Sequence, residues 1–133
     1  MIRQFLGKLT FVLTGWTYSI DPEVLTDNKN VLIGFPHTSN LDGILSIALF
    51  NIVKLPYHLL VKKELFTFGL GVVLRKLGCI PVDRFNSHNI VEQMTQEFNN
   101  SSHFSLVIAP EATRAKEGQT PTLKTGFWHI AKA

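Results

Sequence analysis

Cysteine is nearly missing from this sequence, because Cys79 is the single one among 133 residues. One cysteine excludes an internal disulfide and is typical of a reducing compartment. A run of about 18 uninterrupted apolar residues is also missing, so the sequence predicts no clear transmembrane helix. The first 20 residues combine basic and apolar side chains, but polar residues interrupt them and no small-x-small cleavage site follows. They are therefore not interpreted as a signal peptide.

Charge is the second scarce property: charged residues make up 17% of the chain and the net charge is only +3. The sequence has no tract of Lys and Arg interleaved with stacking aromatics, which argues against a nucleic-acid-binding protein. The small excess of positive charge suits an anionic partner, such as a phospholipid surface or a phosphorylated substrate. The histidines and acidic residues do not follow a usual zinc spacing, so no metal site is predicted.

Short apolar runs alternate with segments of helical periodicity along most of the chain. The predicted strands are 31–35, 57–61, 79–82 and 105–109, and the predicted helices are 41–53, 64–77, 88–98 and 124–133. This alternation indicates a single α/β domain, with a mostly parallel or mixed sheet flanked by helices. The last helix has no stop signal before the sequence ends, so we expect the domain to be truncated at its C-terminus.

The N-terminal segment, residues 1–20, precedes this α/β domain of residues 21–133. Apolar residues recur there every three to four positions, which predicts a helix with one apolar face. They are Ile2, Phe5, Leu6, Leu9, Val12, Leu13 and Trp16. An amphipathic helix with nearby basic residues and an aromatic at its end is typical of the membrane interface. A helix packed on its own domain is the alternative, and the two can hold together in part.

The sharpest chemical pattern is an H-x-x-x-x-D sequence formed by His37 and Asp42. His37 follows a predicted buried strand, and ligands of parallel α/β sheets bind at that end of the strands. Ser39 or Asn40 can cap the next helix, which places Asp42 in its first turn. Asp42 is then expected to orient the His37 imidazole and stabilise its protonated form. His37 is predicted to be a general base near neutral pH.

Two further strands end in polar side chains that suit an anionic substrate. Asp83 and Arg84 follow the third strand, and the guanidinium of Arg84 matches the geometry of a phosphate. Glu111, Thr113 and Arg114 follow the fourth strand and supply a carboxylate, a hydroxyl and a second guanidinium. Because parallel strands end at one edge of a sheet, we expect these groups to lie on the same edge as His37. Ordinary surface ion pairs and a polar turn are the alternatives.

The ordered series of motifs resembles the glycerolipid acyltransferase family, which includes the lysophosphatidic acid (1-acylglycerol-3-phosphate) acyltransferases. The similarity runs from about residue 31 to the end of the chain. The series is Phe-Pro-His-Thr-Ser-Asn-Leu-Asp at 35–42, Lys-Lys-Glu-Leu at 62–65, Gly-Cys-Ile-Pro-Val-Asp-Arg at 78–84, Ala-Pro-Glu-Ala-Thr-Arg at 109–114 and Lys-Thr-Gly-Phe-Trp-His-Ile-Ala at 124–131. Two features depart from the family pattern: Ala112 replaces a usual glycine, and the usual fourth motif is absent.

The resemblance implies transfer of a fatty acyl group from acyl-CoA or acyl-carrier protein to the hydroxyl of a lysophospholipid or glycerol phosphate. It implies His37 as base and Asp42 as its partner. It assigns acceptor binding to Arg84, Glu111 and the residues of the same motif, Thr113 and Arg114. It implies no metal and no cofactor, and an association with the membrane, which the single cysteine suggests is on the cytoplasmic side. The N–H groups of residues 38–41 are candidates for holding the developing oxyanion.

Two other functions remain open from the residues alone. An acyl hydrolase needs an enzyme nucleophile, for which Ser39 and Cys79 are the candidates, although Cys79 lies in an apolar strand that favours an inert core role. A catalytically silent membrane-binding module would use only the N-terminal helix and the basic surface. Lys62 and Lys63 are interpreted as a solvated pair, with contact to CoA or lipid phosphates as the alternative.

Overall fold

Four parallel strands form the centre of the fold in the computed structural model. The structure describes residues 1–35, 39–83, 85–111, 118, 120 and 122–133, without the side chains of 87 and 88. The strands are β1 (Lys29–Ile33), β2 (His58–Lys62), β3 (Cys79–Val82) and β4 (Phe104–Ile108). The helices are α1 (Ile2–Thr14), α2 (Asn40–Val53), α3 (Leu70–Lys76), α4 (Ser87–Asn100) and α5 (Gly126–Lys132). The predicted α/β fold is therefore confirmed.

The strands lie in the order β1-β4-β2-β3, and every pairing between them is parallel. Strand β4 is thus central although it comes last in the sequence. Strand β1 spans Lys29–Ile33 and not the predicted 31–35, because its pairing with β4 begins at Lys29, opposite Phe104. The carboxyl ends of all four strands meet at one edge, which we call the carboxyl edge, and β1 and β3 occupy its two sides.

Each face of the sheet has its own apolar core. On one face Met94 of α4 and Ile130 of α5 pack with two residues of β4, Phe104 and Leu106. On the other face Phe50 of α2, together with Leu55 and Tyr57, packs against the alternate residues of the strands. Two-sided burial explains why the strands are continuous apolar runs in the sequence. The sheet is therefore enclosed between α2 and the α4–α5 pair.

Helix α1 lies on α2 and runs antiparallel to it. Gln4 donates a hydrogen bond to the Ile52 carbonyl at 3.2 Å, and a Cβ on Gly7 would lie 2.6 Å from the Ala48 carbonyl oxygen. Gly7 and Phe11 are the buried residues of this helix. The docking face thus lies on the side opposite the predicted apolar face, whose seven members are 39–77% exposed. The helix packs on its own domain, as one interpretation predicted, and presents an apolar surface outward. Its contact with a membrane stays a prediction.

The helix predicted over 64–77 is wrong in its first half. A short 3₁₀ turn at Lys63–Leu65 is followed by α3, which begins only at Leu70. Gly69 precedes α3 with a φ of +87°, a conformation that ends helical geometry and that L side chains rarely adopt. The apolar spacing of this segment predicted a longer helix because a single residue with positive φ does not change the spacing of the apolar side chains.

Candidate active site

Four predicted site residues lie outside the described residues: His37, Arg84, Thr113 and Arg114. Their roles therefore stay predictions. The other two are described: Asp42 lies in the first turn of α2, the helix that follows β1, and Glu111 lies three residues beyond β4, the neighbour of β1 in the sheet.

Asp42 sits at the third position of α2, in a reciprocal cap with Ser39. The Ser39 side chain accepts from the Leu41 N–H at 3.1 Å, and the Asp42 Oδ2 accepts from the Ser39 N–H at 2.9 Å. This capping box confirms the predicted helix start and fixes the Asp42 carboxylate within one turn of the H-x-x-x-x-D loop. A carboxylate has about four lone-pair sites, so the cap is compatible with the predicted contact to His37.

The same cap corrects the predicted oxyanion site. The N–H groups of Ser39 and Leu41 point to the capping side chains and are used there. These two are therefore not donors for a developing oxyanion, and the prediction is wrong for them. Residue 38, another of the predicted donors, lies outside the described residues. The sequence shows a helix start but does not show which of its N–H groups the cap consumes.

Glu111 is buried at the end of β4, with 5% of its surface exposed. The adjacent Pro110 carbonyl accepts a hydrogen bond from the Lys124 N–H at 2.8 Å, so the segment leading into α5 covers this strand end. A buried carboxylate is costly unless it is paired, and such a group is rare on an ordinary surface turn. Its burial therefore argues against the alternative of a solvated polar turn.

The strand order places the third strand farther from the first than the sequence suggested. Strand β2 lies between β4 and β3, so the end of β3 is three strand spacings, about 14 Å, from the end of β1. The intervening end of β2 carries Lys62 and Lys63, which were interpreted as a solvated pair. Lys63 is exposed, as that interpretation predicted, and its Nζ also donates a hydrogen bond to Asp83 Oδ2 at 2.5 Å, which links the ends of β2 and β3.

This ion pair favours the charged forms of both partners. The hydrogen bond from Lys63 lowers the pKa of Asp83, and the hydrogen bond to Asp83 raises the pKa of Lys63. The Asp83 contribution to stability is present above the ordinary aspartate pKa and is lost as the pH falls through the lowered value. The Lys63 contribution is present below the ordinary lysine pKa and is lost as the pH rises through the raised value. The pair stays charged at neutral pH and positions an ammonium group on the carboxyl edge.

Cys79 is the buried first residue of β3, and burial raises the pKa of its thiol. A protonated, enclosed thiol is a poor nucleophile. The Ser39 hydroxyl, the other candidate, is the acceptor of the α2 cap. Both observations disfavour an acyl hydrolase that forms an enzyme ester or thioester.

We therefore expect Cys79 to be unreactive in the folded protein and dispensable for catalysis. A thiol reagent should modify the native chain only as fast as it unfolds, and Cys79→Ala should keep its transfer activity while losing about 1 kcal/mol of stability. The measurement is labelling with a chromogenic disulfide, with and without denaturant. Rapid native labelling that an acyl donor prevents would instead support a cysteine nucleophile.

Within the described ranges, the structure has no cluster of three or more His, Cys, Asp or Glu side chains arranged to hold a metal ion. Within the same ranges, none of the helices has both the length and the apolar content needed to cross a bilayer.

A family model described as "Acyltransferase" matches residues 18–133, which is most of the chain. The chain belongs to the glycerolipid acyltransferase family. The matched range includes all four strands and the whole carboxyl edge, so this edge belongs to an acyltransferase domain. Comparison with curated proteins and with solved structures gave no match.

Proposed function

We propose that this acyltransferase domain moves a fatty acyl group from the thioester of acyl-CoA or acyl-carrier protein to a hydroxyl of a lysophospholipid or glycerol phosphate. The observation that best supports a lipid substrate is the exposed apolar face of α1. This face runs beside α2 towards the carboxyl edge. The reaction requires only side chains and the two substrates, with neither a metal nor a cofactor.

The reaction is a single displacement. His37 removes the proton from the acceptor hydroxyl, the hydroxyl oxygen attacks the thioester carbonyl, and the C–S bond breaks as the C–O bond forms. The departing thiolate receives the proton from His37, which restores the neutral base. Asp42 is anchored at the start of α2 and stabilises the imidazolium during the transfer.

The phosphate of the acceptor binds to cations on the carboxyl edge. Arg84 and Arg114 are the guanidinium donors in this proposal. Lys63, held by Asp83, lies at the end of β2, between the ends of β4 and β3. Glu111 and Thr113 hold the polar groups of the glycerol unit. Two substrates held in register at one edge gain much of the rate through orientation alone.

Helix α1 provides the contact with the membrane. From the Gly7–Ala48 contact, Leu13 and Asp42 are each six residues away in the antiparallel pair, which is about 9 Å along both helices. The exposed apolar face therefore reaches the level of Asp42. A bilayer that receives this face lies beside the site, on what we propose to be the cytoplasmic side, and a lipid acceptor reaches the site without leaving the interface.

The direct test is incubation of the protein with a panel of labelled acyl-CoA and acyl-carrier-protein donors and of lysolipid and glycerol phosphate acceptors. Mass spectrometry of the products should show an ester between the donated chain and a phosphate-bearing acceptor, with release of the free thiol. Release of free fatty acid alone would support the hydrolase. Vesicle binding without any product would support the silent membrane module.

We expect the two tryptophans to report different surroundings when vesicles are added. Trp16, just beyond α1, and Trp128 of α5 are similarly exposed, at 58% and 60%. Trp128→Phe leaves only Trp16, whose fluorescence should shift to the blue on phosphatidylcholine vesicles. Trp16→Phe is the matched control and should show no shift, because α5 packs on the other face of the sheet. Equal shifts, or a shift of Trp128 alone, would contradict the proposed orientation.

A further inference from the structure

A cavity of about 490 Å³ opens at the amino edge of the sheet, opposite the carboxyl edge. The start of α1, the end of α2, the segment entering β2 and the end of α3 surround it. Strand β2 separates it from the carboxyl edge by five residues, about 16 Å. The cavity is therefore distinct from the proposed site of acyl transfer.

The charged side chains that line this cavity are all cations. Arg3, Lys54 and Lys76 contribute them from three different helices or helix ends, and no Asp or Glu of the described chain is part of the lining. Arg3 donates one hydrogen bond, from Nη2 to the Lys76 carbonyl at 3.1 Å. A guanidinium has five N–H donors, so this bond fixes its position and leaves donors for an anion.

A buried phenol points the same way. Tyr57 lines the cavity with 8% of its surface exposed, and among the described residues its hydroxyl makes no hydrogen bond of ordinary geometry. Burial raises the pKa of Tyr57, while the nearby Asn51 side chain lowers it. A buried hydroxyl is normally satisfied, so this phenol is a hydrogen-bond donor without a well-formed partner, enclosed in the wall of the cavity.

Lys54 adds an observation from the backbone. It ends α2 with a φ of +60°, and it is the non-glycine residue with positive φ in the described part of the chain. Glycine suits this position better, since the left-handed conformation costs other residues about 1 kcal/mol. Lysine therefore occupies a position where glycine would cost less, and its side chain lines the cationic cavity. We take this as support for a role of the Lys54 charge in binding an anion.

The apolar face of α1 decides which anion fits. Ile2 and Phe5, which are 73% and 65% exposed, border a second concavity that shares Met1 and Gln4 with the cationic one. An apolar surface beside a cluster of cations matches a lipid with a phosphate head group and acyl chains. We propose that the cavity binds the phosphate of an anionic lipid in the membrane on which α1 lies. This inference rests on the proposed contact of α1 with a membrane.

The test compares binding of the full chain to phosphatidylcholine vesicles with and without phosphatidic acid. Lys54→Gly and Lys76→Gln should each lower the binding to vesicles with phosphatidic acid about fivefold, which corresponds to about 1 kcal/mol for each cation at the surface. Both should bind neutral vesicles like the unmodified protein, because α1 is unchanged. Lys54→Gly should also be at least as stable as the unmodified protein, since glycine relieves the positive φ.

Lys132→Gln in α5 is the matched control, because it removes the same charge from an exposed site on the opposite face of the sheet. Equal binding of Lys54→Gly and Lys132→Gln to phosphatidic acid vesicles would overturn the proposal. Inorganic phosphate is the second probe. If it stabilises the unmodified protein against heat but not Lys54→Gly, while the vesicles show no difference, the lipid assignment is wrong and the ligand is a soluble phosphate. If the unmodified protein does not bind neutral vesicles, the result counts against the contact of α1 with the membrane and not against the cationic cavity.

Discussion

His37→Ala is expected to lower kcat/KM for acyl transfer by about 10²–10⁴-fold, the range that a positioned general base contributes. The imidazole is the only group in the proposed reaction that takes the hydroxyl proton, and alanine leaves no base in its place. The free energy of unfolding should change little, because the capping box of α2 depends on Ser39 and Asp42 and not on His37. Steady-state kinetics and denaturant unfolding check the two parts of this expectation.

Two variants separate the chemistry of this loop from its stability. Ser39→Ala removes the capping oxygen and should cost about 1 kcal/mol of stability, with most of the transfer activity retained. Asp42→Asn keeps an oxygen that can accept from the Ser39 N–H but loses the negative charge, so it should impair transfer more than it impairs folding. Near-normal turnover of His37→Ala would remove His37 as the base. Equal loss in all three variants would show a general disturbance of the loop.

Gly78→Ala, just before β3, is expected to be strongly destabilising, with a loss of more than about 3 kcal/mol. Gly78 has a φ of +83°, and a Cβ there would lie 2.5 Å from the Tyr57 carbonyl oxygen. Alanine therefore combines an unfavourable conformation with a collision against backbone, and the backbone carbonyl has no rotamer by which to move aside. The Leu59 N–H bonds to the Gly78 carbonyl at 3.1 Å, so the collision also disturbs the β2–β3 pairing.

Gly15→Ala is the control for the conformational part of this effect. Gly15 ends α1 with a φ of +69°, and a Cβ there would meet nothing within 4 Å. Its substitution should cost only about 1–2 kcal/mol. Thermal unfolding measures the loss of stability in both variants. The larger loss expected for Gly78→Ala reports the collision with the Tyr57 carbonyl. A Gly78→Ala protein as stable as Gly15→Ala would contradict the expected collision and would show that β3 shifts easily.

Much of the carboxyl edge was predictable because the signals that place it are local. Apolar runs ended by proline or polar residues predicted all four strands, and the serine–aspartate spacing predicted the start of α2 and the position of Asp42. The family followed from short motifs in order, which do not depend on how distant strands pair. The role of each site residue stays a prediction, since His37 and the two arginines lie outside the described residues.

Strand order was not predictable, because pairing depends on contacts between residues far apart in the chain. The last strand, β4, enters the middle of the sheet and moves the end of β3 away from the end of β1. The same order brings Lys63 beside Asp83, so that an exposed lysine joins the ends of β2 and β3 at the carboxyl edge. The late start of α3 was also not predictable, because apolar spacing does not show that Gly69 has a positive φ.

The sequence by itself determined the four strands and most of the helices, where α2 begins, which family the motifs resemble and that α1 has an apolar face. Only the tertiary structure decided where that face points. Gly7 allows the backbone of α1 to approach Ala48, so the helix docks through its small and mixed side and leaves the apolar side outward. Helical periodicity defines a face but not its partner, because the partner is chosen by close packing between segments that are distant in sequence.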